Sequence, residues 1–159
     1  IPSRLVGSEM CIRDRLIDMY KKNTPIFVKL SPDETEENLK NLIEVSEKNG
    51  IDGFICCNTT TDHIYPIAGG MSGALLSKKA GNMQKKVAEF KQEKSILIAS
   101  GGVMNESDVK ERLINSADLV QLYTGYIYQG NSLLKKALQI SSSWQNCKKY
   151  SILKKGWKI

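Results

Sequence analysis

The chain has 159 residues, a length typical of one domain that can bury a sizeable core. Its composition is globular, with 41% hydrophobic and 25% charged residues, and no apolar run approaches the roughly 18 residues of a membrane span. The net charge of +6 comes mostly from lysines scattered over predicted helix faces and the tail, without an arginine-rich arm, so we expect no nucleic-acid partner.

The first fifteen residues, IPSRLVGSEMCIRDR, stand apart from the rest. They have no initiating Met, no apolar core for a signal peptide and no periodicity that continues into the following chain. The segment is similar to a translated sequencing adaptor, and a disordered natural leader is the alternative. We therefore leave residues 1–15 out of the fold prediction.

From Thr24 onward, short β-rich runs alternate with longer helical patterns. Residues 25–30 predict a strand, and the next segment predicts a helix that Asp33 or Thr35 can cap and that Gly50 ends. One face of this helix carries Leu39, Leu42, Ile43 and Ser46.

Three further units follow the same order. Asn105 is a good N-cap for the third helix, whereas Gly81 weakens the middle of the second by up to about 1 kcal/mol relative to Ala. The sequence predicts strands at 53–58, 95–100 and 118–125, and helices at 74–90, 106–115 and 131–144.

Four βα units in succession predict an α/β fold. The strands are continuous apolar runs, which is typical of parallel strands covered on both faces. A right-handed βα series can close as a barrel or lie open as a doubly wound sheet. Four units make half of an eight-unit (β/α)8 TIM barrel.

Unusual residues follow each predicted strand at its carboxyl end, where the site of a βα barrel lies. Glycines that lead into a helix present free N–H groups and a positive dipole end to an anion. We therefore interpret Gly101-Gly102 as a phosphate site, where a Cβ at Gly102 would clash with the ligand more than with the fold; tight packing is the alternative. The residues concerned are Lys29, Asn58-Thr59-Thr60, Gly101-Gly102 and Tyr123-Thr124-Gly125.

The cysteines and the one histidine do not predict a metal site. Neither a CxxC pair nor a zinc spacing is present, and the thiols are interpreted as reduced cysteines of an intracellular protein. His63 is interpreted as a solvated loop residue and not as a general base. The cysteines are Cys11, Cys56, Cys57 and Cys147.

Five motifs carry a resemblance to a known family: FVKLSPD, CNTTTD, GGMSGALL, IASGGV and VQLYTG. In this order and spacing they resemble the carboxyl-terminal half of dihydroorotate dehydrogenases, most closely the class 2, quinone-linked branch. The resemblance implies that residues 16–140 are half of an FMN-containing TIM barrel and residues 141–159 a truncated helical tail. It also implies oxidation of dihydroorotate to orotate in pyrimidine (UMP) biosynthesis, with quinone as acceptor.

The resemblance also assigns roles to individual residues. Lys29 corresponds to the lysine beside the flavin ring, where a fixed cation stabilises negative charge; a lysine that merely reaches solvent from a strand end is the alternative. Asn58 and Thr59 correspond to residues that hydrogen-bond the substrate, with an Asx-type turn as the alternative.

Four further positions correspond to residues that hold FMN, largely through main-chain groups around its phosphate. For Tyr123 the alternative is an aromatic residue that only packs. These positions are Gly73, Gly102, Tyr123 and Thr124.

Two residues depart from the family pattern. Cys57 stands where the family usually has a threonine that contacts the flavin, and because a thiol is a weak donor, the contact survives only if the main chain makes it. Ser116 stands where the family usually has glycine, a change that we expect to be tolerated unless the turn requires a positive φ.

The family's first four strands have no counterpart in this sequence, and we expect the chain to be a fragment. The catalytic base, a serine in class 2, belongs to that part, so no residue here is assigned as catalytic. The helices that meet membrane and quinone belong there too. We expect an intracellular parent, peripheral to the inner (cytoplasmic or mitochondrial) membrane only through that part, and an isolated chain that is inactive.

Two other functions remain open. One is a different TIM-barrel enzyme of phosphorylated ligands that shares the phosphate loops. The other is an inactive half-barrel that binds a nucleotide or associates with itself.

Overall fold

The computed structural model describes residues 24–66 and 68–152, with side chains up to residue 144. The predicted leader, residues 1–15, lies outside the described residues, as does the end of the predicted tail. The elements are β1 Phe27–Leu30, α1 Glu36–Lys48, β2 Gly53–Cys56, a 3-10 helix Gly73–Leu76, α2 Ser77–Phe90, β3 Ile96–Ala99, α3 Glu106–Ile114, β4 Leu119–Val120 and α4 Thr124–Ile152.

The four strands form one parallel sheet in the order β1-β2-β3-β4. Lys29 pairs with Ile55, and Ile55 pairs with Ile98, so adjacent strands keep a common level across the sheet. The predicted series of parallel βα units is thereby confirmed. All four carboxyl ends lie at one edge, where the loops that follow them can meet.

Alternation along the strands separates two faces of the sheet. Leu30, Phe54 and Leu97 face the helices and are buried in a core with residues of α1 and α2. Lys29 alternates with these positions and is exposed on the opposite face. A second cluster packs α3 and α4 together around Val109 and Leu113.

Helices α1 and α3 end in the same way and lead into the next strand through the same kind of turn. After α1, Gly50 has a φ of +77° and its N–H donates to Glu47 O (3.1 Å), while Ile51 N–H donates to Ser46 O (3.2 Å). This is a Schellman motif, which requires a left-handed residue after the cap. Asp52 follows, and its carboxylate accepts a hydrogen bond from Ile26 N (2.8 Å).

The turn after α3 repeats this arrangement with different residues. Ser116 has a φ of +71° and donates its N–H to Leu113 O (3.2 Å), while buried Ala117 donates to Arg112 O (3.1 Å). Asp118 then accepts a hydrogen bond from Leu97 N (2.9 Å). The turn therefore does require a positive φ, the condition under which we expected serine to be poorly tolerated.

The N-caps of α1 and α3 are residues that the sequence predicted as caps. Thr35, one of the two candidates, caps α1 by accepting a hydrogen bond from Asn38 N. Asn105 caps α3 and forms a capping box with Asp108. Asp33 does not cap α1 and serves another purpose described below.

Several predicted bounds are wrong. Strand β4 covers only two residues of the predicted 118–125, because the last ladder bond from Gln121 N reaches Ala99 O and the chain then turns into α4 at Thr124. Helix α4 begins before the predicted residue 131 and is interrupted at Gly130, which has φ 57° and ψ −144°. Leu42, predicted on the buried face of α1, is 42% exposed at its margin.

The long helix α4 does not resemble a membrane span. Within residues 24–66 and 68–152, no helix is both long enough and apolar enough to cross a bilayer.

The two matched turns give a stability test of the serine at the left-handed position. We expect Ser116→Gly to raise the free energy of unfolding by about 1 kcal/mol, because glycine relieves the left-handed strain at an exposed site. Gly50→Ser, where an added Cβ meets no atom within 4 Å, should lower it by a similar amount. Urea unfolding followed by circular dichroism measures both changes, and shifts of the same sign would contradict the explanation.

Candidate functional site

Three loops meet at the carboxyl edge of β2, β3 and β4. Ser72 Oγ lies 3.1 Å from Thr124 Oγ1, which joins the loop after β2 to the start of α4. A Cβ added to Gly73 would lie 3.2 Å from Thr124 Cγ2, so these two loops approach closely. Gln129 donates its side-chain N–H to Met104 O, which ties α4 to the loop after β3. These contacts bring together the loops that carry three predicted cofactor positions.

The paired glycines after β3 both have left-handed backbone conformations. Gly101 has a φ of +90° and Gly102 a φ of +69°. A Cβ on Gly101 would lie 2.9 Å from Leu76 Cδ2, and a Cβ on Gly102 would collide with the backbone of Ser77. Our expectation that a side chain at Gly102 would clash with a ligand more than with the fold is therefore wrong. The alternative of tight packing explains why both residues are glycines.

The same packing leaves the turn suited to hold an anion. Gly102 lies against Ser77, the first residue of α2, whose own N–H already donates to Ala74 O, and Thr124 begins α4. The first N–H groups of α4 have no partner within that helix and carry its positive dipole end. Together with the hydroxyls of Ser72 and Thr124, these donors fit a phosphate group.

The predicted substrate residues are accessible at the end of β2. Asn58 and Thr59 are both exposed, and Asn58 N–H continues the ladder by donating to Leu30 O (2.9 Å). Asn58 Oδ1 accepts a hydrogen bond from Thr59 N (2.9 Å), so one of its two polar atoms is already engaged. The Asn58 side-chain amide nitrogen faces no hydrogen-bond acceptor among the described residues.

The loop that begins at Asn58 is closed by a polar cluster. Thr60 is fully buried and forms a backbone bridge with Met71, its N–H donating to Met71 O (3.2 Å) and Met71 N–H to Thr60 O (2.7 Å). The Thr60 hydroxyl donates to Asp33, whose carboxylate also accepts from Thr61 N (2.8 Å). Lys79 of α2 donates to Asp33 (2.5 Å), Thr60 (2.9 Å) and Asp62 (2.9 Å).

The charges of this cluster are fixed by one another. Partial burial acts to raise the pKa of Asp33, but hydrogen bonds from Lys79, Thr60 and Thr61 outweigh it and hold that pKa well below its ordinary value. Burial acts to lower the pKa of Lys79, and the carboxylates of Asp33 and Asp62 raise it above its ordinary value instead. The two carboxylates therefore neutralise the charge of Lys79, and this lysine links α2 to the loop.

His63 is less solvated than predicted. Its side chain is half-buried, and Nε2 lies 3.0 Å from Gly69 O across the loop. Its Nδ1 is buried without a hydrogen-bond partner among the described residues, and the ring stacks obliquely on Tyr65. His63 therefore supports the loop from within.

Cys57 lies behind the site, in contact with Cys56. Hydrogen bonding from the Cys56 thiol lowers the pKa of Cys57, burial opposes this, and the charges of Arg112 and Lys29 lower it further. The pKa of Cys56 is raised by the same hydrogen bond and by burial. The Cys57 N–H already donates to Ser100 O (2.7 Å), so a main-chain contact with a ligand is left to its carbonyl.

The remaining predicted positions are Tyr123 and Thr124, which follow β4, and Lys29, which lies in β1. Tyr123 is 78% exposed, so its side chain packs little against the described residues. Thr124 is half-buried beside Gly73, whereas Lys29 stands on the exposed sheet face. No group of three or more side chains able to hold a metal ion occurs among the described residues.

Sequence reasoning missed the cluster that closes the loop. Asp33 was interpreted as a possible helix cap and Lys79 as one of many solvated lysines. The two are 46 residues apart, and no local spacing links them. The only sequence signal was Asp33 itself, an acid just after a Ser-Pro pair and two residues before the actual cap.

The chain is similar to a known protein family and to individual members of it. The family described as Dihydroorotate dehydrogenase matches residues 4–141. The chain is 40% identical over 137 residues to a dihydroorotate dehydrogenase (quinone) of Dichelobacter nodosus and 36% identical over 137 residues to one of Halorhodospira halophila. Each match covers 82% of this chain and 40% of the relative. The chain thus spans about two fifths of the length of the curated relatives it matches.

Solved structures show the same likeness. A crystal structure of DHODH from Eimeria tenella in complex with ferulenol matches with a TM-score of 0.70 and 27% identity, covering 79% of this chain and 35% of that chain. Together with the parallel βα order, this confirms the predicted fold class, a partial (β/α)8 barrel. The family match begins inside residues 1–15, and the predicted domain boundaries at 15 and 140 stay predictions.

The lowered pKa of Asp33 predicts how stability changes in acid. A carboxylate with a depressed pKa stabilises the fold above its unfolded value near 4, and this contribution is lost as the pH falls below that value. Asp33→Asn should lower the free energy of unfolding on the order of 1 kcal/mol at pH 7 and flatten its decline below pH 4.

Asp62→Asn is the matched control, because Asp62 binds the same lysine with an 82% exposed side chain and should change stability less. Urea unfolding between pH 2 and pH 7 measures both variants. Equal acid dependence in wild type and Asp33→Asn would contradict the assignment.

Proposed function

The chain belongs to the dihydroorotate dehydrogenase family, and on this premise we propose that it is the phosphate-binding side of an FMN-dependent enzyme that oxidises dihydroorotate to orotate. The electron acceptor is a quinone, and the reaction serves pyrimidine (UMP) biosynthesis. The observation that carries the proposal is the meeting of three loops around Gly73, Gly102 and Thr124 at the carboxyl edge of the sheet.

The loops provide the donors for the phosphate of FMN. We assign the phosphate to main-chain groups of Gly73 and Gly102 and to the hydroxyl of Thr124, and the hydroxyl of Ser72 adds a donor 3.1 Å from that of Thr124. Tyr123 precedes this helix start with an exposed side chain that can cover the ligand. When bound, FMN accepts the electrons and hydrogen removed from the substrate.

Lys29 supplies charge on the face of the sheet opposite the helices. It is exposed, and no carboxylate lies within 4.0 Å of it among residues 24–66 and 68–144. A fixed cation beside the flavin ring favours the form of the ring that carries more negative charge. Lys29 therefore orients the cofactor and eases electron uptake.

Asn58 and Thr59 bind the substrate. The Asn58 amide offers a donor and an acceptor, which suits the ring and carboxylate of orotate. The loop that carries them is fixed by the buried Thr60 hydroxyl and by Asp33, so both side chains are held at the end of β2. Cys57, just before them, contributes a carbonyl to the cofactor side of the site.

The proposed activity belongs to the complete protein, because the relatives are about two and a half times as long as the segment matched here. Contact with quinone and peripheral attachment to a membrane are proposed for parts other than those described. The catalytic base is likewise proposed to lie outside this chain.

The proposed activity is tested with the complete protein that contains this chain. We expect the purified protein to be yellow, to release FMN on denaturation, and to reduce a quinone analogue in the presence of dihydroorotate with formation of orotate. A colourless protein that binds another phosphorylated ligand, or a flavoprotein inert towards dihydroorotate, would refute the proposal.

The role of Lys29 is tested on the flavin itself. Lys29→Ala should lower the two-electron reduction potential of bound FMN by roughly 30 mV or more, equivalent to about 1.4 kcal/mol, and should slow flavin reduction by dihydroorotate. Lys29→Arg should keep most of the potential because it keeps the charge. Lys40→Ala, on the exposed face of α1, is the control and should leave the potential unchanged. An unchanged potential in Lys29→Ala would mean that Lys29 is only structural.

A further inference from the structure

Arg112 of α3 is a buried cation beneath the paired glycines. Its side chain is 2% exposed, and its Nη2 donates to Ser77 O (2.9 Å), to Gly101 O (3.3 Å) and to Ser77 Oγ (3.4 Å). These partners belong to the first turn of α2 and to the turn after β3. One guanidinium therefore fastens together the two backbone segments that surround the proposed phosphate.

Helix α2 makes room for this guanidinium. A Cβ on Gly81, in the middle of the helix, would lie 2.6 Å from Arg112 Nη1. The weak helix former that the sequence shows at this position is therefore explained by the arginine. Gln84, one turn further along α2, donates to Arg112 O (2.7 Å) and Asn115 O (2.9 Å), which fixes the end of α3 beside it.

The charge of Arg112 has no nearby carboxylate in the part of the chain that the structure describes. All three hydrogen-bond acceptors are neutral, and none of the described acids lies within 4.0 Å of the guanidinium. A buried ion without a countercharge is costly, and its field is poorly screened inside the protein. Its influence reaches Cys57, whose pKa it helps to lower.

We propose that Arg112 is a positioning residue of the phosphate site, which shapes the Gly101-Gly102 turn through carbonyl hydrogen bonds and attracts a phosphate monoester with its uncompensated charge. The phosphate does not touch the guanidinium. It binds the N–H groups on the outer side of the turn, and Arg112 supports them from below. The identity of the ligand as FMN rests on the proposed function.

The test compares two flavins that differ only in the phosphate. FMN and riboflavin affinities are measured by fluorescence quenching on the flavin-free complete protein, in wild type, Arg112→Gln, Arg112→Lys and Lys110→Gln. Lys110 is exposed on the same helix, so Lys110→Gln changes the net charge equally but away from the turn. The measured quantity is the ratio of FMN affinity to riboflavin affinity.

We expect Arg112→Gln to lower this ratio at least about tenfold, equivalent to about 1.4 kcal/mol, with riboflavin affinity retained. Arg112→Lys should recover most of the ratio, and Lys110→Gln should keep it. The proposal would be overturned if Arg112→Gln left the ratio unchanged, including the case in which the affinities for both flavins fall equally. Either result would mean that Arg112 has no specific effect on phosphate binding.

A second variant decides the matter should Arg112→Gln fail to fold. Gly81→Ala displaces the end of the arginine side chain without removing it and improves the helix propensity of α2. It should lower the FMN to riboflavin ratio by roughly threefold, about half of the former effect in free energy. A folded Gly81→Ala protein with the wild-type ratio would overturn the proposal.

Inorganic phosphate separates this inference from the proposed function. Suppose that neither flavin binds, but that the wild-type protein binds phosphate in calorimetry and Arg112→Lys binds it more tightly than Gly81→Ala. The proposed function then fails, and the role of Arg112 stands. If the wild-type protein binds neither flavin nor phosphate, both are overturned.

Discussion

Two aspartate carboxylates at the amino end of the sheet fix the alignment of its strands. Asp52 accepts from Ile26 N and returns its own N–H to Ile26 O, and Asp118 does the same with Leu97. Each pair clamps two neighbouring strands at one level. A shift by one residue would move Lys29 from the exposed face into the helix-facing core, since side chains alternate along a strand. The carboxyl ends therefore meet, and the loops of the site meet with them.

The glycines of this chain serve packing first and binding second. Gly50 meets a backbone requirement that Ser116 meets under strain, while Gly81, Gly101 and Gly102 each allow a neighbour to approach more closely than a Cβ would permit. At the turn after β3 the two purposes coincide. The turn packs closely on the first residue of α2, and the buried Arg112 joins the two segments by donating to Ser77 O and Gly101 O, next to the phosphate site that we propose.

The sequence predicted what depends on local chemistry. The apolar runs predicted four parallel strands, and the caps at Thr35 and Asn105 predicted where helices begin. Strand β4 was overestimated because apolar residues continue past Gln121, where the ladder stops. Asp33 and Lys79 are 46 positions apart, and Ser77 and Arg112 are 35 positions apart. Hydrophobic periodicity is a local signal and cannot predict such contacts. The roles of all the predicted site residues remain predictions: Lys29, Cys57, Asn58, Thr59, Gly73, Gly102, Tyr123 and Thr124.

The cations near the carboxyl edge differ in whether a carboxylate neutralises them. Lys79 is neutralised by two carboxylates, so it holds the loop and offers little attraction to an anion. Arg112, buried in the helix layer, and Lys29, on the opposite face of the sheet, have no carboxylate within 4.0 Å among the described residues. Under the proposed function, Arg112 acts at the phosphate end of FMN and Lys29 at the ring that gains negative charge, so the two cations without a carboxylate partner serve the two charged parts of one ligand.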